Sequence, residues 1–92
     1  MKEKVFYIEY NEEKYPLVFN LNVMEEIQNA YGDIGTWGEI VENNNAEPKI
    51  KDLKFGLMAM INEGLDIENE KLEVKRNLLT DKQVGRLLTS VG

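Results

Sequence analysis

The side chains able to do acid–base or metal chemistry in this chain are almost all carboxylates. Seventeen Asp and Glu stand against eleven Lys and Arg, with no histidine and no cysteine. Those two absences remove the usual proton acceptor near neutrality and the nucleophile arrangements built on imidazole or thiolate. Three carboxylate pairs are close enough in sequence to act together: Glu12 with Glu13, Glu25 with Glu26, and Asp66 with Glu68. A working acid–base pair needs burial to shift its pKa values. Each pair falls instead where carboxylates are ordinary: a turn, the first turn of a helix and a solvated loop. The run Asp66-Ile-Glu-Asn-Glu70 is rich in oxygen ligands. It lacks the glycine and the bidentate glutamate of an EF-hand calcium loop. The glycines form no phosphate-cradling pattern. The sequence therefore predicts no catalytic, cofactor-binding or metal residues, and no enzyme.

What remains is apolar surface. Trp37, Phe55, Met58 and Met60 are large and adaptable enough to line a groove for a partner, although the ordinary fate of such residues is the core. Phe55 stands out, because it lies opposite the main apolar stripe of its helix, and Gly56 beside it would let another backbone approach closely. The expected partner-binding set is Phe55, Gly56, Met58 and Ala59.

These residues belong to the stretch that organises the chain, Pro48 to Gly64. Proline suits the first turn of a helix and glycine the position just past its end, so the spacing predicts a helix over 48–63. Ile50, Leu53, Leu57, Met60 and Ile61 form one apolar stripe, while Phe55 and Ala59 fall on the other side. A helix apolar on two sides is either central to a small domain or offers a surface to a partner.

Ahead of it, residues 4–21 read as a β-hairpin with the polar tetrad Asn11-Glu-Glu-Lys14 as its turn. Tyr15, Leu17, Phe19 and Leu21 should share one face, and Pro16 marks an edge strand or a strand start. Asn22 with Glu25 signals a helix over about 22–32, closed by Gly32, and Thr36 with Glu39 signals another over 36–43. Glu42 to Glu47 reads as a loop, and residues 65–79 as a mostly irregular connection. Thr80 with Gln83 forms a capping box opening a helix over 80–91, with Val84, Leu87, Leu88 and Val91 on its buried stripe. The expected fold is one small α+β domain over 1–92, an N-terminal two-stranded hairpin packed by three or four short helices.

Composition bounds the role. With 42% hydrophobic residues the chain can build a core. The net charge of −6 repels nucleic acid. Lys49, Lys51 and Lys54 read as a solvated helix face. No apolar run approaches membrane-spanning length, and the N-terminus lacks the pattern of a signal peptide. A soluble cytoplasmic protein is the expectation, with neither nucleic acid nor membrane as partner.

The order of these elements resembles the small tail assembly chaperones of long-tailed bacteriophages and prophages. The resemblance rests on the hairpin running into the first helix, Tyr15-Pro-Leu-Val-Phe-Asn-Leu-Asn-Val-Met-Glu-Glu-Ile-Gln28, and on Tyr31-Gly-Asp-Ile-Gly-Thr-Trp-Gly-Glu-Ile40. It continues through Leu57-Met-Ala-Met-Ile-Asn-Glu-Gly-Leu65 and Leu79-Thr-Asp-Lys-Gln-Val-Gly-Arg-Leu-Leu88. The charged insert from Asp66 to Asn77 is longer and more acidic than that pattern. The resemblance implies a non-enzymatic, cofactor-free protein in the bacterial host cytoplasm. Such a protein binds the tape-measure protein until tail-tube subunits polymerise around it, and can associate with further copies of itself. The acidic composition also fits a regulatory or inhibitor protein that binds a basic site on another protein.

Overall fold

The computed structural model describes residues 5–42 and 49–91. Expectations falling on Lys4 and on positions 43–48, Pro48 among them, lie outside the described residues. The fold is α+β. An antiparallel hairpin, β1 (Phe6–Tyr10) and β2 (Glu13–Leu17), precedes helices α1 (Leu21–Tyr31), α2 (Ile34–Val41), α3 (Ile50–Asn69) and α4 (Asp81–Val91).

Helix α3 is the axis, and both of its apolar sides are packed, although Ile50 of the expected stripe, at the start of the helix, is exposed. On one side Ile61 and Leu65 pack with Tyr15 of β2 and Leu87 of α4, flanked by Ile8, Leu17, Leu79 and Leu88. On the other, Ala59 packs with Val23 and Ile27 of α1, beside Tyr31, Trp37, Phe55 and Met60. The two-sided apolarity of α3 is thus that of a central helix. It separates a hairpin–α4 core from an α1–α2 core.

The hairpin turn is tighter than the expected tetrad. Tyr10 pairs with Glu13, leaving Asn11 and Glu12 as a two-residue turn with φ values of 55° and 66°. Two left-handed residues give the turn whose twist matches the flanking strands. The sheet has two strands, so Pro16 in β2 lies on an edge, where its missing N–H is tolerated. Strand β2 ends at Leu17, and Phe19 and Leu21, expected inward, are exposed because the chain has already left the sheet.

Both early caps lie upstream of the expected positions. Asn20 Oδ1 accepts from the Val23 N–H at 3.2 Å and caps α1, leaving Asn22 inside the first turn. Asp33 Oδ1 accepts from the Thr36 N–H at 2.7 Å and caps α2, a role expected of Thr36 and one that Asp fills better. Gly32 does close α1, at φ 90° with its N–H bonded to the Gln28 carbonyl. At α4 the capping box forms as expected: Thr80 N–H to Gln83 Oε1 at 2.8 Å, and Gln83 N–H to Thr80 Oγ1 at 3.3 Å. Val91, expected on the buried stripe of α4, is exposed in its last turn.

The largest departure is at Gly64. The helix does not stop there but continues to Asn69, so the Asp66–Glu70 run lies in helix and turn rather than in an open loop. Gly64 is a contact point. A Cβ built on it would lie 2.7 and 2.8 Å from Cγ and Cβ of Pro16. The irregular connection shrinks to residues 70–80, a strap that turns back along α3.

Two asparagines hold that strap. Asn62 Nδ2 donates to the Leu79 carbonyl at 3.0 Å, while its Oδ1 accepts from the Leu79 N–H at 2.8 Å. Asn69 treats Arg76 in the same way, both bonds at 2.9 Å. Each amide therefore satisfies both backbone groups of one strap residue, as a neighbouring strand would. From Asn62 to Asn69 the helix rises by about 10.5 Å, and an extended chain covers about 10 Å from Arg76 to Leu79. The matched rises place the strap antiparallel to α3. Arg76 then crosses to the hairpin: Nη1 donates to the Lys14 carbonyl at 2.9 Å, and Cζ stands 4.7 Å from the centre of the Tyr15 ring.

Candidate functional site

Between α3, α1 and the strap lies a groove of about 190 Å³. Its apolar lining is Phe55, Met58 and Ala59 from α3 and Leu78 from the strap; its rim is Glu26, Glu63 and Asp66, with Asn62 between them. The α3 residues recur at three- and four-residue spacing, which puts them on one helical face. The side chain of Leu78, 43% exposed, forms the opposite wall. Its place is set by the Asn62 amide, which fixes the backbone of the next residue.

Phe55 is half-buried and meets Tyr31 edge to face, ring centres 5.6 Å apart at 75°. The Tyr31 hydroxyl donates to Asp52 Oδ1 at 2.6 Å. Burial, then the hydrogen bond and charge of Asp52, push the Tyr31 pKa up to about 12. Trp37 Nε1 donates to the Asp52 carbonyl at 2.8 Å, so Asp52 anchors both α1 and α2 to α3. On the rim, Glu63 Oε2 accepts from Nδ2 of Asn20 and of Asn22, each at 2.7 Å. That pair of bonds fixes the carboxylate and ties the start of α1 to α3.

Of the four expected partner-binding residues, Phe55, Met58 and Ala59 are brought together in the groove. Ala59, only 7% exposed, contributes floor rather than surface. Gly56 is different. A Cβ built there would lie 2.1 Å from Cζ2 of Trp37, so the close approach permitted by Gly56 is taken by the chain's own indole. This corrects the expectation that Gly56 admits another backbone. Trp37 and Met60, also candidates for a partner surface, pack against the α1–α2 core. Lys54, expected on a solvated face, pairs with Asp81 at 2.8 Å.

Sequence reasoning missed Leu78, Asn62 and the three rim carboxylates. A signal was present: the face of Phe55, Met58 and Ala59 runs on through Asn62, inside the expected helix, and past Gly64 to Asp66. Reading Gly64 as a stop hid Asp66.

Among the described residues, no group of three or more His, Asp or Glu side chains is placed to hold a metal ion, and no helix is long and apolar enough to cross a membrane. Comparison with known protein families, with characterised proteins and with solved structures gave no match. The groove offers apolar surface within a ring of carboxylates. Chemically, it can hold an apolar side chain while pairing with flanking cations.

Proposed function

We propose that this chain is a tail assembly chaperone of the long-tailed bacteriophage type. In this reading it is a non-enzymatic cytoplasmic protein that binds helical segments of the tape-measure protein and keeps them soluble until tail-tube subunits assemble around them. The observation that carries the proposal is the groove of Phe55, Met58 and Leu78 ringed by Glu26, Glu63 and Asp66. A helical client with an apolar ridge and basic flanks complements both its floor and its rim. The net charge of −6 keeps the loaded chaperone dispersed. The sequence resemblance supplies the identity of the client.

The test is co-expression with tape-measure segments from the same genome, reading the soluble fraction of the client. The wild-type chain should rescue at least one segment. Met58→Glu and Leu78→Asp should abolish rescue while keeping the melting temperature. Phe55→Asp is less clean, since Phe55 also supports Tyr31. Folded variants that still rescue the client would sink the assignment of the groove; rescue of no segment would sink the chaperone reading.

The carboxylate rim also suits the alternative of an acidic regulator docking on a basic site. Salt separates the two. Association driven by charge weakens steeply as ionic strength rises, whereas apolar client binding persists.

A further inference from the structure

A second groove, unrelated to the first, has the opposite charge. It lies between β1, the start of α3 and α4, and measures about 690 Å³. Tyr10 and Ile50 give it an apolar floor, and Lys54, Lys82 and Arg86 surround them. Ile50 is 57% exposed, a large aliphatic side chain that the described residues leave uncovered. Gly85 opens the α4 wall, facing only the flexible end of Lys54.

The charges here run against the molecule. The chain carries −6 overall, yet three cations converge on this one groove. Lys54 is neutralised by Asp81, but among the described residues neither Lys82 nor Arg86 forms an ion pair. Lys82 and Arg86 stand four residues apart on α4, so they are helical neighbours of like charge. Such a pair is mutually repulsive and is relieved by an anion placed between its members.

We propose that this groove is a docking site for a short acidic amphipathic segment of another protein, one that lays an apolar residue on Tyr10 and Ile50 and carboxylates against Lys82 and Arg86. Charge complementarity selects the partner, and the surrounding field limits its length. Screening confines the attraction to about 8 Å at physiological ionic strength, so the cations act locally despite the negative whole. A long polyanion would run off the groove onto the acidic surface and be repelled. The occupant is therefore a peptide rather than a nucleic acid. The inference is independent of the chaperone reading.

The test uses the full chain, labelled for amide NMR, and four probes. The first is a helical peptide with leucines at i and i+4 flanked by glutamates. The second replaces its glutamates by lysine, and the third replaces its leucines by serine. The fourth is a single-stranded oligonucleotide. The first probe should bind and shift the Tyr10, Ile50 and Gly85 amides. Lys82→Glu combined with Arg86→Glu, both exposed positions, should weaken it by about tenfold or more. Leu78→Asp, in the other groove, should leave it unchanged. The second and third probes should leave those amides unmoved. The proposal is overturned if the first probe does not bind, if the double charge reversal leaves its affinity intact, if the serine or lysine probe binds the same amides equally well, or if the oligonucleotide binds there instead.

Discussion

Three glycines inside helices carry opposite expectations, set by what their missing Cβ would meet. Gly56 is pressed by Trp37 and Gly64 by Pro16, whereas nothing lies within 4 Å at Gly38 in α2. Ala is favoured over Gly in a helix by about 1 kcal/mol, so Gly38→Ala should stabilise the protein by roughly that amount. Gly56→Ala and Gly64→Ala should each destabilise it by about 1–3 kcal/mol, because overpacking outweighs propensity. Denaturant midpoints of the three variants decide this, and only Gly56→Ala should also alter the emission of the single Trp. Tyr31 adds a pH signature. Its pKa, raised from 10.0 to about 12, means that the unfolded state loses this proton first. The contribution of Tyr31 to stability is complete below pH 10 and is lost as pH rises from about 10 to about 12. Tyr31→Phe should flatten that part of the stability curve. It should also cost about 1 kcal/mol at neutrality through loss of the bond to Asp52. At this scale, legibility in the sequence follows distance along the chain. The Thr80–Gln83 box is local and reads directly, while the role of Gly64 depends on Pro16, three elements away.

At the scale of elements, the strap is the part most open to perturbation, since side-chain amides replace the ladder a true strand would have. Asn69→Ala leaves the Arg76 N–H and carbonyl without their partners, at a cost of about 1–3 kcal/mol. Hydrogen exchange should then accelerate at Arg76 before it does in α3. Because Asn69 helps to hold the strap that carries Leu78, the same variant should, on the chaperone proposal, weaken client binding although Asn69 does not line the acidic groove. The hairpin, a following set of three or four helices and the stop at Gly32 were readable from periodicity and caps. The end of α3 was not, because glycine reads as punctuation in sequence while here it serves as a packing site. Of the groove lining, Asp66 was hidden with it. The residues from α3 were legible as a face, but Leu78 belongs to a segment whose order comes from two asparagines rather than from any periodicity of its own.

At the scale of the molecule, one central helix divides the core in two, and the acidic and basic grooves open on different sets of elements. If the chain acts as the proposed chaperone, client binding at the acidic groove should show a split response to salt. Raising ionic strength about tenfold should slow association clearly, while the equilibrium affinity changes by less than about threefold. Stopped-flow and titration measurements on one tape-measure segment give both quantities. An affinity that collapses with salt would favour the acidic-regulator reading.

The paired amides of Asn62 and Asn69 make the chain a gauge of its own length. Seven helical residues are matched to three extended ones, and that ratio tolerates no change between the two contact points. A residue inserted or deleted between Arg76 and Leu79 would force one asparagine to release its hold, and α4 would start out of place. Insertions between Glu70 and Val74 fall outside the gauged interval and should be absorbed. Lengthening and shortening of this protein should therefore concentrate in residues 70–74, at the start of the strap, leaving Arg76 to Leu79 fixed in length.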